Sequence, residues 1–491
     1  MLFNSFNFLV FFSAIVGMYF AIPHRWRWLL LLASSCYFYM SFIPVYILIL
    51  LITIAIDYSA GILIEKEQGK ARKLYLIMSI AATCLVLFVF KYFNFFNANM
   101  TALAAFMHWN YPVGKLAIIL PIGLSFHTFQ SLSYVIEVYR GRQKAERNFG
   151  IYALYVMFFP QLVAGPIERP QNLLHQFYER HTFDYVRVMD GLKLMLWGFF
   201  KKVVIADRLA MLVNTVYGHP ADFPGIARLL AALFFAFQIY CDFSGYSDIA
   251  IGAAQVLGFK LMNNFDRPYF SKSIAEFWRR WHISLSTWFK DYLYIPLGGN
   301  RVSQSRLYLN ILITFLISGF WHGANWTYVL WGGLNGVYLI ASIMTQDIRR
   351  RIGQWSGLYA RPGLHKCVSV AMTFTLICFS FIFFRADTFG DAIIIIKGIA
   401  RTFFQVATLD RTILTDLSRL EEWGLTKFDF VLALVTIGVM ECIHLIQRHG
   451  NIIQSLREKP LLFRWAVYYA LIFAVIVLGE SNQSQFIYFQ F

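Results

Sequence analysis

The sequence predicts an all-α polytopic membrane protein, and three observations carry that prediction. Of 491 residues, 58% are hydrophobic, 14% are charged and 50 are Phe, against roughly 25% charged in a soluble domain. Mean hydropathy is +0.55. Apolar runs close to spanning length recur along the whole chain, and Lys and Arg gather in the short connections between them. A span needs about 20 residues, fewer where the segment is re-entrant or buried in protein. We therefore expect roughly 10–13 transmembrane or re-entrant helices, within a single membrane domain over 1–491.

Taken in order, the runs are 5–22, 28–41, 44–64, 74–95, 116–138, 151–167, 187–205, 227–258, 307–322, 326–344, 367–384, 428–446 and 464–480. The first lacks a basic flank and a small-residue cleavage site, so it reads as a span and not as a signal peptide. Lys66, Lys70, Arg72 and Lys73 precede one run, and Arg140, Arg142, Lys144 and Arg147 follow another. With Arg349 to Arg351 and Arg448, Arg457, Lys459 and Arg464, these mark cytoplasmic turns. The loop 96–114, the tail from Ser481 and the N-terminus should lie outside. The loop 385–427 carries both signs and fits an external segment with its own short helices. The net charge of +16 then reports cytoplasmic loops and not nucleic-acid binding. Six cysteines without a CxxC pair read as buried thiols, neither a disulfide framework nor a metal site.

Polar residues inside apolar runs are costly and point to function. His322 ends the run "LITFLISGFWH", followed by Gly323, Asn325 and Trp326. His282 lies in the polar, Trp-rich stretch 271–301, with Glu276, Arg279, Arg280, Lys290 and Asp291. On one helix Trp278, Trp281 and Leu285 would share a face, broken only at Pro296, Gly298 and Gly299. An amphipathic interfacial helix with snorkelling arginines is the plainer reading of that stretch. Asp242, Ser244 and Asp248 interrupt another run, where helix capping at a break near Gly245 competes with a functional role. Around Pro160 and Gly165-Pro166 a helix should kink or end, with Glu168 and Arg169 reaching the interface. His127 reads as a hydrogen-bonded core histidine. Neither HxxxH nor HExxH spacing occurs, which disfavours metal.

The strings "EFWRRWHISLSTWFKDYLYIPLGGNR", "FWHGANWTYVLWGGLNG", "QIYCDFSGYSDIAIG" and "LPIGLSFHTFQSLSYVIEVYRG" resemble the membrane-bound O-acyltransferase (MBOAT) family. The resemblance is strongest to the bacterial branch that O-acetylates alginate and peptidoglycan, and it covers about 1–345. It implies a ring of helices around a central tunnel, with a catalytic core near 115–345 and C-terminal helices over 365–480. It implies a thioester donor entering from the cytoplasm, the family's invariant histidine at His322 and a second recurrent polar position at His282. It also implies multi-pass residence in a bacterial inner membrane and an extracytoplasmic partner protein that completes transfer.

Acyl transfer needs a base for the attacking hydroxyl and donors for the oxyanion. His322 is the expected base. His282, Asn325 or a tryptophan N–H such as that of Trp321 would orient the thioester or meet the oxyanion, and Asp242 and Ser244 are further candidates for substrate contact. The expected donor is acetyl-CoA, with no permanently bound cofactor; Arg279, Arg280 and Lys290 suit its phosphates at a cytoplasmic mouth. The expected acceptor is an outer polysaccharide hydroxyl. The orientation argument makes the two histidines separate stations along a transmembrane path. A transporter or flippase of an activated sugar or lipid is the competing class, and a scaffold for periplasmic enzymes a third.

Overall fold

A computed structural model describes residues 1–480 and 486–487, apart from Leu2, Ala164, Arg411, His449 and Asn451 and the side chains of Leu414 and Leu417. Most of the tail expected outside therefore lies beyond the described residues. Among those residues all regular structure is helical and no strand occurs. Six helices are long and apolar enough to cross a membrane, and Phe6–Ala21 and Leu461–Val477 are shorter apolar ones. The chain falls into two compact units, 1–195 with 246–263, and 196–245 with 264–491.

The first unit holds α1 (Phe6–Ala21), α2 (His24–Met40), α3 (Tyr46–Lys66), α4 (Gly69–Leu87), α5 (Phe93–Phe106), α6 (Leu124–Tyr139), α7 (Phe149–Met157), α8 (Pro170–Leu173) and most of α9 (Tyr185–Phe199). A π-helical turn at Phe88–Tyr92 joins α4 to α5, so the run expected at 74–95 extends to Phe106 and the following loop begins later than 96. The run 116–138 is not one helix. Pro121 lacks an amide hydrogen and Gly123 sits at φ 77, so α6 starts only at Leu124. His127 on α6 is buried with its ring edge-on to Tyr39. The carboxylate of Asp57 on α3 is buried too, and accepts hydrogen bonds from Ser79 (2.6 Å) and Thr83 (3.0 Å) on α4. Such pairing offsets part of the cost of burying a carboxylate.

Glu168 departs from expectation. It does not reach an interface but is fully buried, where its carboxylate accepts from Met262 N and, at 3.4 Å, from Asn172 Nδ2. Burial raises its pKa from 4.5 to about 7. A carboxyl whose folded pKa is raised opposes folding once it ionises. The loss starts above pH 4.5, is complete above about pH 7, and amounts to about 3 kcal/mol. Melting of the purified protein should fall between pH 5 and pH 8. Glu168→Gln, which keeps the acceptor oxygen and cannot ionise, should flatten that slope; an unchanged slope would contradict the assignment.

The second unit contains α10 (Asp207–Gly218), α11 (Gly225–Leu257, its last turns in the first unit), α12 (Ile274–Arg280), α13 (Ile283–Phe289), α14 (Gln304–His322), α15 (Trp326–Met344), α16 (Gln346–Trp355), α17 (Pro362–Arg385), α18 (Phe389–Ala407), α19 (Thr412–Leu417), α20 (Lys427–Gln447), α21 (Ile452–Arg457) and α22 (Leu461–Val477). The segment 385–427 does form its own helices, although α18, at 19 residues, is not short. No break occurs at Gly245, because α11 runs through it. The glycine instead permits close approach: a Cβ there would lie 2.8 Å from Gly198 O and 3.1 Å from Lys202 N.

Candidate active site

The stretch expected to be one helix to Pro296 is two, and the break is His282 itself. It adopts φ 43, ψ 56, a left-handed conformation costly for a residue with a Cβ. Backbone bonds on both sides hold it there. Asp266 N donates to Arg280 O at 2.9 Å, and Ile283 N donates to Asn264 O at 2.8 Å. Trp281 and Leu285 therefore do not belong to the helix that carries Trp278.

The same segment orients the imidazole. His282 Nδ1 lies 3.0 Å from Asn264 Oδ1, an atom that also accepts from Ser284 N (3.3 Å) and Ser284 Oγ (2.9 Å). The Ser284 amide identifies that atom as the oxygen, so His282 donates through Nδ1 and its neutral ring carries its lone pair on Nε2. Phe243 meets the ring edge-on at 4.6 Å. Burial, and then the nearby charge of His322, hold the imidazole well below the usual histidine range.

His322 is the last residue of α14. Four residues later, at Trp326, α15 begins, capped by Asn325, whose side-chain oxygen accepts from Thr327 N at 3.1 Å. The two helices approach through glycines. A Cβ on Gly319 would overlap Tyr328 O, one on Gly332 would overlap Phe315 O, and one on Gly323 would overlap the Tyr328 ring. Small residues are the usual means of close helix contact in lipid. Gly332→Ala should cost about 1–3 kcal/mol by overpacking and lower activity with it, read as a drop in melting temperature and transfer rate. Gly333→Ala is the control, since its Cβ would meet only Leu316 Cδ2, at 3.4 Å.

His322 Nδ1 is 2.6 Å from Ser318 O. A carbonyl only accepts, so Nδ1 bears the proton and the neutral ring presents Nε2 as its basic atom. Aromatic rings enclose it: Trp321 at 4.9 Å, Trp331 at 4.8 Å and Phe384 at 5.6 Å. Trp331 also meets Trp278 on α12 at 5.7 Å. The indole nitrogens of Trp331 and Trp278 are buried and make no hydrogen bond among the described residues.

The histidines do not stand as separate stations. His322 adjoins the end of α17 through Phe384, Trp281 beside His282 meets Phe381 there at 5.5 Å, and the charge of His322 is felt at His282. The two phenylalanine rings are 6.3 Å apart. His282 and His322 thus share one neighbourhood that α12–α13, the α14–α15 turn and α17 build together.

The other expected residues lie as follows. Asn325 Nδ2 donates to Asp387 O at 3.0 Å, tying the turn to the end of α17. Asp242 is buried, with Oδ1 2.8 Å from Lys202 Nζ and Oδ2 accepting from Ile487 N at 2.8 Å. Lys202 also pairs with Asp207 at 2.9 Å, and Ser244 accepts from Lys201 Nζ at 3.0 Å. Both lysines lie on a π-helical stretch, Phe200–Ala206. Arg280 pairs with Glu276 at 2.7 Å, while Arg279 and Lys290 are exposed. Sequence reasoning missed Asn264, Trp278, Trp331, Phe384 and the lysine pair. Only the lysines carried a signal, as two adjacent charges in an apolar run.

Residues 148–385 match the model of the membrane-bound O-acyltransferase family. "Probable alginate O-acetylase AlgI" of Pseudomonas putida is 35% identical over 515 residues, covering all of both chains. The protein of that name in Pseudomonas aeruginosa is 40% identical over 79% of this chain and 72% of its own. The "Peptidoglycan O-acetyltransferase" of Helicobacter pylori is 35% identical over 76% of this chain and 73% of its own. Similarity thus extends beyond residue 345, where the resemblance carried by the motifs ends.

Proposed function

This chain belongs to the membrane-bound O-acyltransferase family and is an acyltransferase, and on that premise we propose that it moves an acetyl group from cytoplasmic acetyl-CoA to a hydroxyl on the outer side. The acceptor is an extracytoplasmic polysaccharide such as alginate or peptidoglycan, reached with an extracytoplasmic partner protein. The membrane is a bacterial inner membrane. The observation that carries the reading is the His322 imidazole, fixed by Ser318 O so that Nε2 is its basic atom, inside an aromatic enclosure.

The acceptor hydroxyl gives its proton to His322 Nε2 as its oxygen attacks the thioester carbonyl. The tetrahedral oxyanion accepts from an indole N–H, for which Trp331 and Trp278 are suited because their nitrogens are buried and make no hydrogen bond to the described protein. The C–S bond then breaks, and the imidazolium returns its proton to the departing thiolate, releasing CoA–SH and the acetyl ester. His282, with Nδ1–H held by Asn264, presents an acceptor atom. It suits orienting a hydroxyl better than meeting an oxyanion. Asn325 is engaged in capping and in the bond to Asp387, which leaves Trp321 and the other indoles as the better donors.

Sidedness finds support in the α14–α15 hairpin. Arg301 and Arg306 flank the start of α14, and Arg349 to Arg351 follow α15. His322 therefore lies about 28 Å of helix away from the basic, cytoplasmic ends. Arg279 and Lys290, being exposed, are available to phosphates of the donor.

The test supplies radiolabelled acetyl-CoA to the purified protein in liposomes, with acceptor glycan and partner inside. Label in ester linkage on the glycan is expected. Accumulation of unmodified solute without ester formation would favour a transporter and overturn the proposal.

A further inference from the structure

We propose that α16 is an in-plane membrane helix that binds anionic phospholipid headgroups through Arg350 and Arg351. It joins α15 to α17, which are both candidate spans, so residues 345–361 begin and end on one face of the membrane. At 100° per residue, Ile348, Ile352 and Trp355 fall within a narrow sector of α16. They are 58%, 57% and 90% exposed. The helix is docked by a different side, where Gly353 is buried and its Cβ would come within 2.6 Å of the Tyr359 ring.

The charges have distinct tasks. Arg349 turns back to α15, where its guanidinium donates to Ser342 O and Ser342 Oγ. Arg350 and Arg351 are exposed, with Arg351 bordering the apolar sector and Arg350 opposite it. Asp347 is the one acidic residue of the helix, and Arg361, His365 and Lys366 follow at the start of α17. An apolar face with Arg351 at its border matches an amphiphile lying in the interface, its acyl chains under the isoleucines and its phosphate at Arg351, with Arg350 adding its charge from the water-facing side. A soluble phosphate compound would leave the Ile348–Ile352–Trp355 face uncovered, so the lipid is the occupant that accounts for both features.

The full-length protein is placed in nanodiscs of phosphatidylcholine with a minor share of phosphatidylglycerol, and retained lipid is counted by native mass spectrometry. Wild type should retain phosphatidylglycerol preferentially. The double variant Arg350→Gln/Arg351→Gln should lose about 30-fold of that preference, about fivefold per arginine, whereas Arg180→Gln, at an exposed arginine elsewhere, should lose none. Wild type also carries an independent arm: phosphatidylglycerol should raise its melting temperature over phosphatidylcholine alone, and high salt should cancel the rise. A double variant that keeps the wild-type preference, or a wild type that melts alike in both lipids, overturns the proposal. So does a raised KM for acetyl-CoA with lipid preference intact, which would assign the two arginines to a soluble phosphate.

Discussion

Replacing His322 with alanine is expected to lower acetyl transfer by about 10²–10⁴-fold, the usual yield of a positioned general base. The loss should fall on kcat with the donor KM little changed, because the imidazole acts on the attacking hydroxyl and not on the body of CoA. His322→Gln refills part of the space and keeps a polar group, yet cannot shuttle a proton, so it should be nearly as inactive as alanine. His282→Ala should be milder in kcat and sensitive to acceptor concentration, since that ring presents an acceptor atom from a strained, clamped backbone. Full transfer by a well-folded His322→Ala protein would remove the base assignment.

The second large effect concerns stability. Lys202 is buried between Asp207 and Asp242 at 2.9 and 2.8 Å. Lys202→Met leaves two carboxylates buried without their cation, and breaking such a pair typically costs about 3–5 kcal/mol. We expect poor recovery of monodisperse protein and a strongly lowered melting temperature. Neutralising the partners as well, with Asp207→Asn and Asp242→Asn added to Lys202→Met, should restore much of the loss, because the penalty is an uncompensated charge and not a missing contact. If Asp242 instead touches substrate, Asp242→Asn would raise KM and leave melting unchanged. Melting and kinetics measured on the same preparation separate the two roles.

Much of this protein was legible in the residues taken singly. Each long apolar run must hide its backbone polar groups in a helix once lipid surrounds it, so the helical class followed from composition. A histidine at the end of such a run must have a reason to be there, which singled out His322. Basic clusters give an expected orientation, which the fold itself does not test. Local backbone chemistry also spoke at Pro121 and Gly123, although the uninterrupted hydropathy of 116–138 concealed it.

The rest depended on partners distant in the chain. Nothing in "RRWHIS" announces a break at His282; the cause is Asn264 and Asp266, bonded to either side of it. Trp331 reads as one more apolar residue of a span until Gly319 and Gly332 bring α14 and α15 close enough to set its ring on His322. Asp242 reads as a candidate ligand until Lys202 is found against it. By itself, then, the sequence determined the solvent, the helices and the costly polar residues, because those follow from transfer free energy and from the obligation to satisfy the backbone. Only the tertiary structure decided which nitrogen of each histidine carries the proton, that the two rings share one neighbourhood, and which charges are bound to each other. Hydrogen-bond partners and ring contacts are matters of angstroms between residues tens of positions apart, and hydropathy carries no record of them.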